Sequence, residues 1–455
     1  MCPLSRPRAH LLPADFVWGV TTSAFQFDEP AARSTSLPRR DPLSPTFAVR
    51  GTNMIREVSH HARQWEADLD GMAELQIPAL HLSLSWEQLQ PSGAGPLNRA
   101  AVAFYRDIFE GARERSLDPF VALYHWGLPR PLLAAGGWHQ RRTAEQFAQY
   151  AALVISEFSD VVSTWITIYE PWSVAFAEHA RGACGADADT EARRALHHLL
   201  LGHGLALRKI RDIAPRTRVG IANTVSNVSA ASDSTDDQEA AAYIDLQLNR
   251  IVLDPLYLGR NEEIDEVLGP VGGDEEDINP VRPGDLDLIS TPADFAGVNH
   301  FINVHASTAV NATALGACVR AVEPATTATG WSNTPAALRE VLNRVSTEYT
   351  PGPVYVTGSG ASFEDAPAGH STLDDSERIN YLDGYTGAVL DAYNDGVDVR
   401  GYFVRSFVDT VNCDESESSR FGLVHVDHRT DTRTTKRSAH WYRDLIVTHR
   451  TARGR

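Results

Sequence analysis

The chain has 455 residues, 43% of them apolar, and a formal net charge of −18. That acidity excludes nucleic acid and anionic membrane as main partners, since both select basic patches, and no apolar run is long enough to span a bilayer. Four widely separated cysteines (Cys2, Cys184, Cys318, Cys413) include no Cys-x-x-Cys pair, which argues against a zinc site or disulfide framework. In chain order, Phe16–Phe25 reads as a first strand, residues 65–76 as a helix and Ala79–Trp86 as a second strand. Asn98 is placed to cap a helix running to about Arg115, Pro119–Trp126 forms a third strand, and Thr143 is expected to cap a helix over 144–158. The fourth strand, Val162–Tyr169, ends at Glu170-Pro171. A helix over 189–212 precedes the fifth strand, Arg218–Thr224, and a helix over 237–250 follows it. Phe295–Asn299 is the sixth strand, 335–346 a helix, 353–357 the seventh strand, 375–394 a helix and Val399–Arg405 the eighth strand.

Eight strand–helix alternations without a linker or internal repeat predict an α/β fold, a single (β/α)8 TIM barrel over 1–455 with peripheral tails at 1–14 and 446–455. The long loops fall mostly after strands, on the carboxyl-end face where such barrels hold their sites. The first residues contain no apolar signal-peptide core, so a cytoplasmic location is expected. Only Lys209 and Lys436 are lysines, which leaves little scope for Schiff-base chemistry, and with the many alanines suggests a GC-rich bacterial genome. Nothing in the composition or motifs asks for a metal or cofactor.

Several motifs in order carry a resemblance. Phe16–Gln26, Leu82-Ser-Leu-Ser-Trp86, Leu123-Tyr-His-Trp126, Trp165-Ile-Thr-Ile-Tyr-Glu-Pro-Trp172, Asp294-Phe-Ala-Gly-Val-Asn299, Arg420-Phe-Gly-Leu423 and Ser438-Ala-His-Trp-Tyr442 span nearly the whole chain. With them the sequence resembles the family 1 glycoside hydrolases, the β-glucosidase-like retaining enzymes. Such enzymes use two carboxylates about 5 Å apart, one as acid/base and one as nucleophile. The resemblance implies that Glu170 is the acid/base. It also implies a nucleophile within Thr-Glu-Asn-Gly on the seventh strand, where this chain reads Thr357-Gly358-Ser359-Gly360.

Other positions depart with it. The resemblance implies Arg at His81, Asn at Tyr169, tyrosines at His300 and Phe301, Trp at Arg405, and a Glu-Trp pair at Asn412 and Cys413. Gln26, His125, Trp126, Glu170 and Asn299 remain of the sugar site. Gly358 reads either as a lesion or as a cavity admitting water or a differently shaped substrate. His81 reads as a proton shuttle or a space-filler, and Arg405 as an anion-binding group or a space-filler. Asn299 also has a structural reading, satisfying backbone at a strand end, and Trp138, Trp165 and Trp172 read as core.

The expected function is a repurposed β-glycosidase-like enzyme in bacterial specialised metabolism. Glu170 would transfer a proton on a small polar or modified-sugar molecule, in an elimination, isomerisation, cyclisation or hydrolysis. One alternative is a non-catalytic pseudo-glycosidase binding a ligand or protein. Another is a residual hydrolase or transferase in which Asp28, Asp409, Asp414 or Glu415 activates water.

Overall fold

The computed structural model describes residues 11–22, 64–176, 186–261, 281–307, 318–321, 327–328, 331–363, 373–409, 420–427, 430 and 432–452. Eight parallel strands close a barrel. They are β1 (Val17–Thr22), β2 (Ala79–Ser83), β3 (Asp118–Tyr124), β4 (Thr164–Tyr169), β5 (Arg218–Thr224), β6 (Phe295–Asn299), β7 (Val354–Ser359) and β8 (Val399–Arg405). They pair in sequential order and β1 closes on β8, as the alternation predicts. Strand boundaries agree with the sequence expectation for β5, β6 and β8. β2 stops at Ser83 because Ser85 caps a short helix, Trp86–Leu89, by accepting from the Gln88 amide.

The lumen is filled by Ala79, Phe120, Ala122, Ile166, Ala222, Phe295, Tyr355 and Phe403, so the barrel is a packed core rather than a pore. Outside it, amphipathic helices cover the strands. Arg99–Glu114 is typical: Asn98 accepts from the Ala100 amide at 3.1 Å, as expected, and Ala101, Val102, Tyr105, Ile108, Phe109 and Ala112 form the buried stripe. The next long helix starts earlier than expected, at Arg141, with Gln140 at its N-cap and no side-chain capping bond. Thr143 is buried and gives its hydroxyl to the Gly137 carbonyl instead, so it anchors the preceding turn. Trp138 and Trp165 are fully buried, in agreement with their reading as core.

Two strands bulge at their carboxyl ends. Between Val356 and Ser359, β7 advances three residues while β8 advances two, from Tyr402 to Val404. Between Ile166 and Tyr169, β4 likewise advances three while β5 advances two, from Gly220 to Ala222. A bulge re-aims the side chains beyond it; Gly358 lies within the β7 bulge and Glu170 directly follows β4.

Candidate active site

Glu170 leaves β4 in the left-handed region, φ 57° and ψ 59°, immediately before the short helix Pro171–Val174. A non-glycine residue held there is strained, and such strain gathers at functional sites. Its amide donates to the Ala222 carbonyl at 2.8 Å, which fixes the turn. The carboxylate is buried. Oε1 accepts from Thr224 Oγ1 at the end of β5 and from Asn299 Nδ2 at the end of β6, both at 2.8 Å. Oε2 faces His125 Nε2 at 3.8 Å, an ion-pair distance too long for a hydrogen bond. Burial pushes the Glu170 pKa up. The His125 imidazole, the Arg405 guanidinium and the Asn299 amide outweigh burial and bring it down to about 2. Burial lowers the pKa of His125 against the pull of Glu170. At neutral pH Glu170 is therefore an ionised carboxylate, and one held this low is a weak base at rest.

Asn299 is fully buried, and it accepts from Thr357 Oγ1 at 2.7 Å while donating to Glu170. Its amide thus holds the carboxylate and ties it to β7, while its backbone carbonyl accepts from the Val225 amide at 2.9 Å, the backbone role considered from sequence. In the direction of a side chain, Gly358 faces occupied space among the described residues, unlike the cavity one sequence reading allowed. A Cβ there would meet the Tyr169 hydroxyl at 2.7 Å and Asn299 Oδ1 at 3.1 Å. Tyr169 donates to the Thr357 carbonyl at 3.2 Å, and its buried ring lies on His81 with centroids 4.6 Å apart and planes 27° apart. Tyr169 therefore fills the site with its ring instead of offering a free hydroxyl to a substrate. His81 is buried, with neither ring nitrogen hydrogen-bonded among the described residues, and burial lowers its pKa to about 3. A neutral ring under Tyr169 matches the space-filling alternative better than a shuttle titrating near pH 7.

The Arg405 guanidinium sits over the rings of Phe301 and Phe421, 5.3 Å and 5.1 Å from their centroids. Phe301 also packs on Trp331, and half-buried Trp126 lies beside His125. A small cleft open to solvent reaches Glu170 between Trp172, Leu248, Phe301, Ile302 and Trp331. Ser173, Thr224 and Ser226 supply its other polar groups. Trp172 lines this cleft half-buried and donates to the Gln247 carbonyl at 2.7 Å, so it is a wall residue and not core.

Asp409 is occupied elsewhere. It accepts from the fully buried Lys436 at 2.7 Å, from the Gly422 amide at 2.8 Å and pairs with His425 at 2.9 Å, which removes it as a water-activating base. Gln26, Asn412, Asp28, Cys413, Asp414 and Glu415 lie outside the described residues. Among the described residues, no three or more His, Cys, Asp or Glu side chains gather to hold a metal ion, and no helix is long and apolar enough to cross a membrane. Sequence reasoning missed Thr224, Thr357, Ser226, Leu248 and Trp331. Thr224 alone had a signal: it ends the strand beside β4, at the level of Glu170.

Comparison with known proteins agrees with the barrel. Residues 8–451 match the family model for glycosyl hydrolase family 1. Beta-glucosidase A of Thermotoga maritima is 32% identical over 440 residues, covering 95% of this chain and 97% of the relative. Thermostable beta-glucosidase B of Thermobispora bispora is 36% identical, over 95% of this chain and 90% of its own length. Among solved structures, the family 1 β-glucosidase of Thermotoga maritima superposes with a TM-score of 0.85 at 29% identity, covering 97% of this chain and 99% of that one. The AHE enzyme of Alicyclobacillus herbarius gives 0.84 at 32% identity, over 96% and 98%.

Proposed function

The chain belongs to glycosyl hydrolase family 1, and from that premise we propose an enzyme in which Glu170 moves a proton without a covalent sugar intermediate on β7. The observation that carries this is the setting of Glu170: a buried carboxylate held through Oε1 by Thr224 and Asn299, with Oε2 turned toward His125 where the cleft ends. Opposite it, position 358 has no side chain, and Gly358 stands where the family's nucleophile is expected. Glu170 Oε2 accepts a proton from an acidic O–H or C–H of the ligand. It returns that proton to the same molecule in an isomerisation or cyclisation, or to a leaving oxygen in an elimination; in a hydrolysis the proton comes instead from a water whose oxygen bonds to the carbon as the C–O bond breaks, and it passes to the leaving oxygen. The substrate is a small polar or modified-sugar molecule with an apolar portion, because the cleft walls are Trp172, Leu248, Phe301, Ile302 and Trp331.

The test is Glu170→Gln, which keeps the shape and removes the base. We expect turnover of the native substrate to fall by 10²-fold or more, the scale of general acid–base catalysis, roughly, while affinity is kept. Intact turnover would sink the proposal, and ligand affinity without product in the unaltered protein would assign a binding role instead.

A second reading, β-glycoside hydrolysis or transfer without a β7 nucleophile, is favoured by the full-length likeness to β-glucosidases. Inversion needs a second carboxylate about 6.5–9.5 Å from Glu170, and Asp409 is committed to Lys436. Release of nitrophenol from an aryl β-glucoside, unaided or on adding azide or formate, would support this reading. No release under any condition counts against it.

A further inference from the structure

The Tyr169 side chain crosses the barrel mouth between strands that are not neighbours. It starts on β4, packs against His81 of β2 and against His125 just past β3, and ends on the Thr357 carbonyl of β7, three strands away in the barrel order. The same hydroxyl stands 2.7 Å from where a Cβ of residue 358 would lie. It cannot easily give way. The ring is buried between two imidazoles, and the bulge in β4 fixes the direction from which it leaves the strand. Burial holds the phenol's pKa above its ordinary value, so the group is a neutral donor and not a nucleophile.

We propose that Tyr169 is a specificity-determining plug. It closes the gap between Glu170 and β7 against a pyranose ring, makes glycine obligatory at position 358, and leaves the cleft between Trp172 and Trp331 as the approach to Glu170. Double displacement needs a sugar ring seated between two carboxylates about 5 Å apart. Here a phenol bonded to the β7 backbone occupies that gap. The ligand therefore presents one edge to Oε2 from the side of β5 and β6. This inference rests on Glu170 working without a β7 carboxylate, but its test does not use Glu170.

The experiment compares Gly358→Ala in three backgrounds: the natural chain, Tyr169→Phe and Tyr169→Asn. In the natural chain the added methyl is expected to lower the melting temperature. In Tyr169→Phe, where only the hydroxyl is gone, most of that loss should disappear, and in Tyr169→Asn all of it. Tyr169→Phe keeps the aromatic packing, so the comparison survives if Tyr169→Asn folds poorly. The second readout is thermal protection by deoxynojirimycin, a glucose-shaped iminosugar. The natural chain should gain none, and Tyr169→Asn should gain a concentration-dependent rise. An equal Gly358→Ala loss in every background, or no loss in any, overturns the coupling. Protection of the natural chain, or no protection of Tyr169→Asn, overturns the plug. Failure of the Glu170→Gln experiment with these results intact would remove the proton-transfer reading and leave the plug standing.

Discussion

Thr224→Val tests whether the site holds Glu170 as an anion. Valine keeps the shape of threonine and removes one of the two donors to Oε1. A hydrogen bond to a charged group contributes about 1.5–3 kcal/mol, and about 1.4 kcal/mol corresponds to one pKa unit. The Glu170 pKa should therefore rise from about 2 to roughly 3–4. A carboxylate whose pKa is depressed by folding stabilises the fold above its unfolded value, about 4.3, and that stabilisation is lost as pH falls through the folded value. The wild-type contribution thus fades between about pH 4.3 and pH 2, while the smaller contribution in Thr224→Val fades over a narrower window. Urea unfolding followed by tryptophan fluorescence at several pH values from 6 to 3 reads this difference. At pH 6 the variant should be less stable by about 1.5–3 kcal/mol, and the gap should shrink below pH 4.3, roughly. In a Glu170→Gln background the gap should not change with pH. A gap that stays flat in the natural chain would mean that Thr224 only packs, and that the depressed pKa is wrong.

The buried ion pair after β8 gives a second expectation. Lys436→Met strands Asp409 without its main counter-charge and should cost about 3–5 kcal/mol in urea unfolding, most of it recovered in the Lys436→Met, Asp409→Asn double variant. Gly360 and Gly127 should behave oppositely. A Cβ at Gly360 would run into the Arg405 carbonyl, so Gly360→Ala should abolish soluble expression or lower the melting temperature sharply. Gly127 has φ +79° and no described residue within 4 Å of a Cβ, so Gly127→Ala should cost only about 1–2 kcal/mol of backbone strain.

The barrel was legible because its signal is redundant. Each strand is an apolar run, each helix an amphipathic stripe, and eight repeats of the pair leave one closed topology. Glu170 and Asn299 were read from the resemblance, through the motifs Trp165–Trp172 and Asp294–Asn299 that end β4 and β6. What surrounds them was not, since it comes from contacts between residues far apart in sequence. Asp409, an acidic residue after β8, looked like a possible base until its buried partner was known, and that partner, Lys436, lies on a later segment. Trp172 follows Glu170-Pro171 and carries the apolar character of a core residue, yet the turn that strains Glu170 also sends it into the cleft wall. Tyr169 and Gly358 are the clearest case. Read along the chain, they are two unrelated departures on strands separated by nearly half its length. In the structure they meet, because the Tyr169 hydroxyl stands where a side chain at position 358 would begin. A glutamate restored at position 358 would collide with that hydroxyl before it could approach a sugar. The smallest change with a chance of rebuilding a two-carboxylate site is therefore Tyr169→Asn together with Gly358→Glu, and Gly358→Glu alone should yield no β-glucosidase.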